Sequence, residues 1–445
     1  MEGRFWAWVA ARRLPEWAKI LLYLPLVVLA AAWRTVLWRT TIVAITGSVG
    51  KTTAKECLAA ILATQGPTVK TLGSANGRSG LARTLLRIRP WHRFAVVEVG
   101  VERPGRMWRS AWLVRPNVAL FLGVARTHTQ SFRALEVTAR EKAKLFDRLR
   151  RGGIAVLNGS DPYVARLAAG IRHRVLTFGF GEGVDVQGWD ARAVWPERLA
   201  LTVEAGGESR RLQTRLVGTH WAPAVLGAVA AAVACGTPLE AAVRALEAVE
   251  PFPGRMQPVL LPNGAVFLRD EYNGSVDTFE AAIEVLRWAR ARRRILVISD
   301  CSDFPKSGRQ RARHYARAAK ECAEMLIFVG ERGEYGAGRA RREGMPEGSV
   351  HAFYNFGDAA RFLRNELRRG DLVLLRGRTE QHLTRLYYLQ LGTVQCSKPS
   401  CRLRFLCDGC PWLGYEPDAA HRENQTGELW RRLTARGRSS VYGDA

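Results

Sequence analysis

The chain has 445 residues, 47% of them hydrophobic and 24% charged. That balance excludes an intrinsically disordered protein, and the length predicts two or three domains, each with its own core. Lys and Arg outnumber Asp and Glu by 67 to 41, a net charge of +26 that favours anionic partners such as nucleotides or the acidic face of a bilayer. The Arg is spread along the whole chain and not gathered in one arm, which also suits plain solvated faces, and no nucleic-acid partner is expected.

Residues 1–40 contain "WAKILLYLPLVVLAAAWRTVLW", whose uninterrupted apolar run, Ile20 to Trp33, is shorter than the ~20 residues of a spanning helix. Arg12, Arg13, Lys19, Arg34 and Arg39 flank it, as do Trp6, Trp8, Trp17, Trp33 and Trp38. Basic residues and Trp at both borders suit a segment lying in, or dipping through, a membrane interface. The expectation is a cytoplasmic protein peripheral to, or anchored in, the inner membrane. A signal peptide cleaved at Ala30-Ala31-Ala32 and a buried core helix are the rival readings.

The next stretch, "TTIVAITGSVGKTTAKE", passes from a β-branched run through Gly47, Ser48, Val49, Gly50, Lys51, Thr52 and Thr53 into helix-forming residues. A strand, a glycine loop and a helix N-terminus in that order cradle phosphates through backbone N–H groups. Lys51 would reach the terminal phosphates of ATP, and Thr52 would offer an oxygen to Mg²⁺. The common form of such a loop has glycine five residues before Gly50, where Ile45 stands here.

Short apolar runs then alternate with helical patterns: "FAVVEVG", "NVALFLGV", "GIAVLN" and "RVLTFGF", with helices such as "EVTAREKAKLFDRLRR" and "APAVLGAVAAAVACG". This predicts a parallel-rich sheet covered by helices over residues 41–250. Pro and Gly in "VEPFPGRMQP" mark a boundary. A second alternating set, from "AVFLRDEY" to "DLVLLRG", predicts a smaller Rossmann-like domain over 251–391. Glu98 ends the run "FAVVE", where a charge between Val97 and Val99 is unfavourable unless a cation meets it.

In residues 392–445, Cys396, Cys401, Cys407 and Cys410 fall within fifteen positions, a spacing that suits one zinc ion. An iron–sulfur cluster and an unmetallated tail are the alternatives. Cys57, Cys235, Cys301 and Cys322 stand alone in apolar or helical contexts and are expected to fill core space.

The form T-G-x-x-G-K-T-T resembles the Mur ligase family, and four further segments match in family order: "VVEVGVERPG", "LFLGVARTHTQSF", "TAREKAKLF", and "GRMQ" with "DEYNGSVDTFEAAIEVL". The resemblance covers about Thr41 to Leu391 and is nearest to the branch that adds D-alanyl-D-alanine to a muramoyl tripeptide. It implies an α/β protein with a P-loop central domain and a smaller Rossmann-like C-terminal domain. The implied activity is an ATP- and Mg²⁺-dependent ligase that joins a carboxylate to an amine through an acyl-phosphate. The implied metal ligands are Thr52, Glu98 and His128, and the implied catalytic residues are Lys51, His128 and a carbamylated Lys142. Arg255, Asp270, Glu271 and Asn273 are implied at the nucleotide. The sequence departs from the family in carrying only its apolar first 40 residues ahead of the loop, in keeping Asn76 alone of an expected Asn pair, and in Trp221, Ala224, Ser275 and Val276. The expected partners are therefore a small-molecule or lipid-linked acyl acceptor and an amino acid or dipeptide. A poly-γ-glutamate-synthetase-like ligase and a non-catalytic nucleotide-binding scaffold are the alternatives.

Overall fold

Residues 16–125, 134–272, 274–299, 307–398, 401, 403 and 406–418 are described by a computed structural model. The apolar runs become strands because each is too short for a helix and is closed by a turn. β1 (Thr41–Thr46), β2 (Thr68–Lys70), β3 (Phe94–Glu98), β4 (Val118–Phe121), β5 (Ile154–Asn158), β6 (Arg174–Phe180), β7 (Val186–Arg192), β8 (Ala200–Ala205) and β9 (Glu208–Gln213) form one sheet in the order β2-β3-β1-β4-β5-β6-β7-β8-β9. From β2 to β7 every pairing is parallel. Every residue of β3 and β4 is buried, as expected of strands covered on both faces. The antiparallel edge formed by β7, β8 and β9 was not foreseen.

Five helices matter for the site and its surroundings: α1 (Glu16–Val36), α2 (Lys51–Ala63), α3 (Arg78–Arg87), α4 (Met107–Val114) and α5 (Leu135–Ala143). α5 is shorter than its sequence pattern suggests and gives way to a 3₁₀ turn at Phe146–Arg148. α1 packs on α3 and α4 and sends Ala30 and Arg34 inward, followed by Leu37. Arg34 is buried with its charge spent on backbone carbonyls, donating from Nε to Val114 O at 2.8 Å and from NH2 to Arg115 O at 2.6 Å. Among the described residues no helix is long and apolar enough to cross a membrane. The core-helix reading therefore holds for one face of α1.

Of the described residues, those from 16 to 193 together with 198–250 make one compact unit, and residues 194–197 with those from 251 to 418 make the other. The second unit contains a six-stranded sheet, β10 (Gln257–Leu260), β11 (Val266–Asp270), β12 (Arg293–Ile298), β13 (Met325–Val329), β14 (Val350–Phe353) and β15 (Asp371–Arg376), in the order β10-β11-β15-β12-β13-β14. It is parallel except at β10–β11. The cysteine-bearing segment folds back as a small antiparallel pair, β16 (Gly392–Val394) with β17 (Tyr415–Pro417). The remaining tail, expected to be loosely ordered, lies outside the described residues.

What fastens this segment is charge. Arg269, 2% exposed, donates to Asp408 Oδ1 and Oδ2 at 2.8 Å each and to Glu271 Oε1 at 2.9 and 2.8 Å. Removing one partner of a buried ion pair strands the other and costs about 3–5 kcal/mol. Arg269→Ala in the full chain should therefore lower the unfolding free energy of the second unit, read from a urea titration, by that order, whereas Arg287→Ala, a surface pair, should change it little.

Candidate active site

β1 ends at the centre of the larger sheet, and the loop after it turns because two residues lack a side chain. Gly47 has φ +151° and a Cβ there would lie 3.1 Å from Leu122 Cβ; Gly50 has φ +79° and would meet Ala224 Cβ at 3.3 Å. Gly50 is the N-cap of α2, with no side-chain cap and no acid in the first turn. The helix thus directs its positive end and uncapped N–H groups at the loop, an arrangement suited to an anion. Thr46 Oγ1 and Ser48 Oγ are buried without a hydrogen-bond partner among the described residues. Orphaned hydroxyls are costly unless something polar meets them. A phosphate in the loop would do so, and the glycine cradle leaves room for its approach, so the residues present fit ATP.

Two lysines converge on this loop. Lys51 Nζ donates to Gly47 O at 2.8 Å and to Ser48 O at 3.0 Å. Lys142, from α5, reaches the same Gly47 carbonyl at 2.9 Å. Lys142 is 3% exposed. Burial, with Lys51 adding repulsion, holds its amine well below the ordinary lysine range. Lys144, its near neighbour in sequence, is instead partly exposed and pairs with Glu141 at 2.5 Å.

On the other side of the loop, Glu98 is 1% exposed at the end of β3. Thr52 Oγ1 donates to its Oε2 at 3.0 Å and Asn76 Nδ2 to its Oε1 at 2.8 Å. Thr52 and Glu98 thus present hard oxygens, the donor chemistry Mg²⁺ prefers, while Asn76 turns its amide nitrogen to Glu98. His128 lies outside the described residues.

Several residues that hold this geometry were not singled out from sequence. Lys55 is fully buried and donates to Thr71 O at 3.0 Å and to Gly73 O, pinning the loop that carries Asn76. Glu141 caps α4, accepting from Arg106 N and Met107 N at 2.8 Å each. Asp161 accepts from Val124 N at 2.8 Å and Asn158 donates to Leu122 O at 2.7 Å, fixing the turn after β4. Each acts on backbone far away in sequence, which no local pattern reveals.

In the second unit, Asp270 is buried against Arg376 at 2.6 Å and accepts from Met256 N at 3.2 Å. Arg255 lies over the Tyr272 ring at 4.6 Å. Asn273 lies outside the described residues. Glu271, expected at the nucleotide, is 0% exposed; its Oε1 accepts from Arg269 and Thr384, and its Oε2 is buried without a hydrogen-bond partner among the described residues. A cavity of about 300 Å³ opens at the carboxyl ends of β12 and β13, lined by Ser299, Arg311, Tyr315, Arg332 and Tyr335 among others.

The zinc or iron–sulfur centre expected at Cys396, Cys401, Cys407 and Cys410 is not supported. Among the described residues no three His, Cys, Asp or Glu side chains come together to hold a metal ion, and all four are free thiols. The sulfurs have other neighbours: Cys407 Sγ is 3.3 Å from His382 Nδ1, and Arg385 reaches Cys396 Sγ at 3.9 Å. Cys57 and Cys322 are buried and Cys235 half-buried, while Cys301 lies outside the described residues.

Comparison with known proteins agrees with the fold and the loop. The Mur ligase middle domain matches residues 45–232, and the Mur ligase glutamate ligase domain matches residues 254–379. The UDP-N-acetylmuramoyl-tripeptide–D-alanyl-D-alanine ligase of Mycobacterium bovis is 29% identical over 359 residues, covering 76% of this chain and 70% of its own. The Escherichia coli protein of the same name is 31% identical over 265 residues, covering 59% and 58%. A crystal structure of MurF from Acinetobacter baumannii superposes with a TM-score of 0.76 at 26% identity, covering 82% of this chain and 80% of that one. MurF from Thermotoga maritima, solved with ADP, has the same fold at a TM-score of 0.69 and 20% identity.

A buried amine whose pKa is depressed in the folded state favours folding above the ordinary lysine pKa and loses that contribution as pH falls. Lys142→Met removes the group. The variant should therefore melt higher than the native chain without ligands at neutral pH, and the difference should widen as pH is lowered from about 10. Calorimetry across that range checks it.

Proposed function

The chain belongs to the Mur ligase family, and we propose that it is an ATP-dependent ligase of peptidoglycan-precursor synthesis, joining the carboxylate of a muramoyl-peptide precursor to the amine of a dipeptide of the D-alanyl-D-alanine type. The observation that carries this reading is the glycine loop that runs into the uncapped N-terminus of α2, with Lys51 at Gly47 O and the buried Thr46 and Ser48 hydroxyls left without partners among the described residues. Such a site suits phosphoryl transfer, which proteins catalyse mainly by positioning and neutralising charge. The chemistry is two substitutions. An oxygen of the acceptor carboxylate takes the γ-phosphoryl group of ATP, releasing ADP; the amine nitrogen then attacks the activated carbonyl carbon, phosphate leaves, and the nitrogen loses a proton as the amide forms.

The loop residues Gly47 to Thr53 would hold the phosphates by backbone N–H groups, with Lys51 spanning the terminal ones. Thr52 and Glu98 would hold Mg²⁺, and His128 is assigned with them from its sequence segment alone. Bound Mg²⁺ would supply neutralisation of the charge that grows on the phosphate oxygens. Asn76 and Thr71 keep Glu98 facing Thr52. From the family likeness Arg255, Asp270, Glu271 and Asn273 are the second unit's candidates for the nucleotide, and the cavity lined by Arg311 and Arg332 suits the terminal carboxylate of an amino acid or dipeptide. The precursor is UDP-linked or lipid-linked, and dependence on ATP puts the reaction on the cytoplasmic side.

Lys142 has a further part. Its low pKa keeps a fraction of the amine neutral, the form whose lone pair attacks CO₂ to give a carbamate with loss of a proton. That exchanges a cation for an anion beside the loop, where it can position the metal.

Phosphate release should be measured with ATP, Mg²⁺, UDP-linked muramoyl tripeptide and D-alanyl-D-alanine. Turnover with this pair and none with glutamate alone is the expected result; turnover with glutamate alone would move the reading to a poly-γ-glutamate-type ligase. Lys51→Ala should lose turnover by at least about 10³-fold with an unchanged circular dichroism spectrum. Lys142→Ala should lose most activity and regain part of it with added short-chain carboxylic acid, while Lys144→Ala stays near normal. Equal behaviour of the two lysine variants would overturn the carbamate.

A further inference from the structure

We propose that α1 and the segments beside it form a docking face for an anionic bilayer surface, a role that does not depend on the ligase reading. The exposed side of α1 is apolar where a solvated helix would be polar. Leu24, Val28, Leu29 and Val36 are each at least half exposed, with Val28 at 60%. At 100° per residue they lie on one side of the helix, opposite buried Ala30 and Arg34.

Tryptophans border this stripe. Trp33 Nε1 donates to Ile88 O at 2.9 Å, which sets α1 against the turn carrying Trp91, 69% exposed. Arg34 donates to Val114 O, which sets the same end of α1 against α4, whose Trp108 and Trp112 are one helical turn apart and both exposed. Trp38 follows the helix and is also exposed. Exposed Trp gathered beside an exposed aliphatic stripe is unusual on a solvated surface, and indole is most favourably placed at the boundary between lipid headgroups and acyl chains.

The charge around the stripe selects the partner. Arg39 lies over the Trp38 ring at 4.6 Å and Arg109 over Trp108 at 5.3 Å. Arg89, Arg103 and Arg106 are exposed nearby, and among the described residues from 23 to 115 the one exposed carboxylate is Glu102. A second copy of the chain would bring this cationic rim against its own like, which is repulsive. Anionic phospholipid headgroups complement it, while the aliphatic stripe and indoles enter the headgroup–acyl boundary without spanning it. Residues 1–15 repeat the pairing in sequence, with Trp6 and Trp8 among Arg4, Arg12 and Arg13.

The full-length chain should be floated with vesicles of phosphatidylglycerol mixed into phosphatidylcholine, and with phosphatidylcholine alone, at low and high salt. Expected is flotation with the anionic vesicles that weakens as salt rises, with little binding to phosphatidylcholine alone. Val28→Glu, and separately Trp91→Ser with Trp112→Ser, should reduce binding by at least about tenfold. The substituted side chains are exposed, so melting temperature and phosphate release in solution should be unchanged. Absence of flotation at low salt, or undiminished flotation of both variants, would overturn the proposal. So would sedimentation that reveals a dimer which Val28→Glu disperses, because the stripe would then be a protein interface.

Discussion

Two ammonium groups share one carbonyl oxygen at Gly47, and the first unit is organised around that shortage of negative charge. Lys51 also donates to Ser48 O at 3.0 Å, and burial beside Lys51 makes the second cation, Lys142, costly. The depressed pKa of Lys142 expresses this cost. The loop bends on glycine, α2 points its uncapped end at the same place, and the carboxylates around it are engaged, Glu98 by Thr52 and Asn76 and Glu141 by Lys144 and the backbone of Arg106 and Met107. A ligand carrying several negative charges supplies what the fold withholds. This is how a site can be preorganised: its charges are fixed before the ligand arrives, and little rearrangement is needed when charge shifts during reaction.

The second unit treats buried cations in the opposite way. Arg269 meets two carboxylates with short, directed hydrogen bonds. Arg293 likewise pairs with Asp371 and Glu366, at 2.7 and 2.6 Å. Matched in this way, the guanidinium groups serve as rigid fasteners between strands and the returning tail. The contrast separates structural charge from functional charge: the first is satisfied by protein, the second waits for something else.

Much of this could be read from sequence where the physics is local. The β-branched run before Gly47 and the helix formers after Lys51 foretell strand, loop and helix, because β and α preferences change within a few residues. The parallel strands were equally legible, since burial on both faces writes continuous apolar runs. β7, β8 and β9 were missed; "VQGWDAR" and "ESRRLQ" are half-exposed or exposed runs whose polarity resembles a loop, and β9 lies at the sheet's edge. Lys142 could be singled out only through family likeness; nothing local separates it from Lys144, and the difference arises from the turn of a helix that aims one at Gly47 and the other at Glu141. The carboxylates around Arg269 are equally silent: Glu271 and Asp408 meet only through that guanidinium, and an acid next to a motif does not announce an Arg buried behind it.

The clasp between Arg269 and Asp408 joins residues 139 positions apart. During synthesis the arginine leaves the ribosome long before the aspartate, at about 5–20 residues per second. For that interval the strand carrying Arg269 holds a guanidinium balanced only by Glu271, and its interior face stays open to water or to a chaperone. The cysteine-bearing knuckle is therefore made after this sheet, and a chain cut short before Asp408 leaves Arg269 with one carboxylate in place of two.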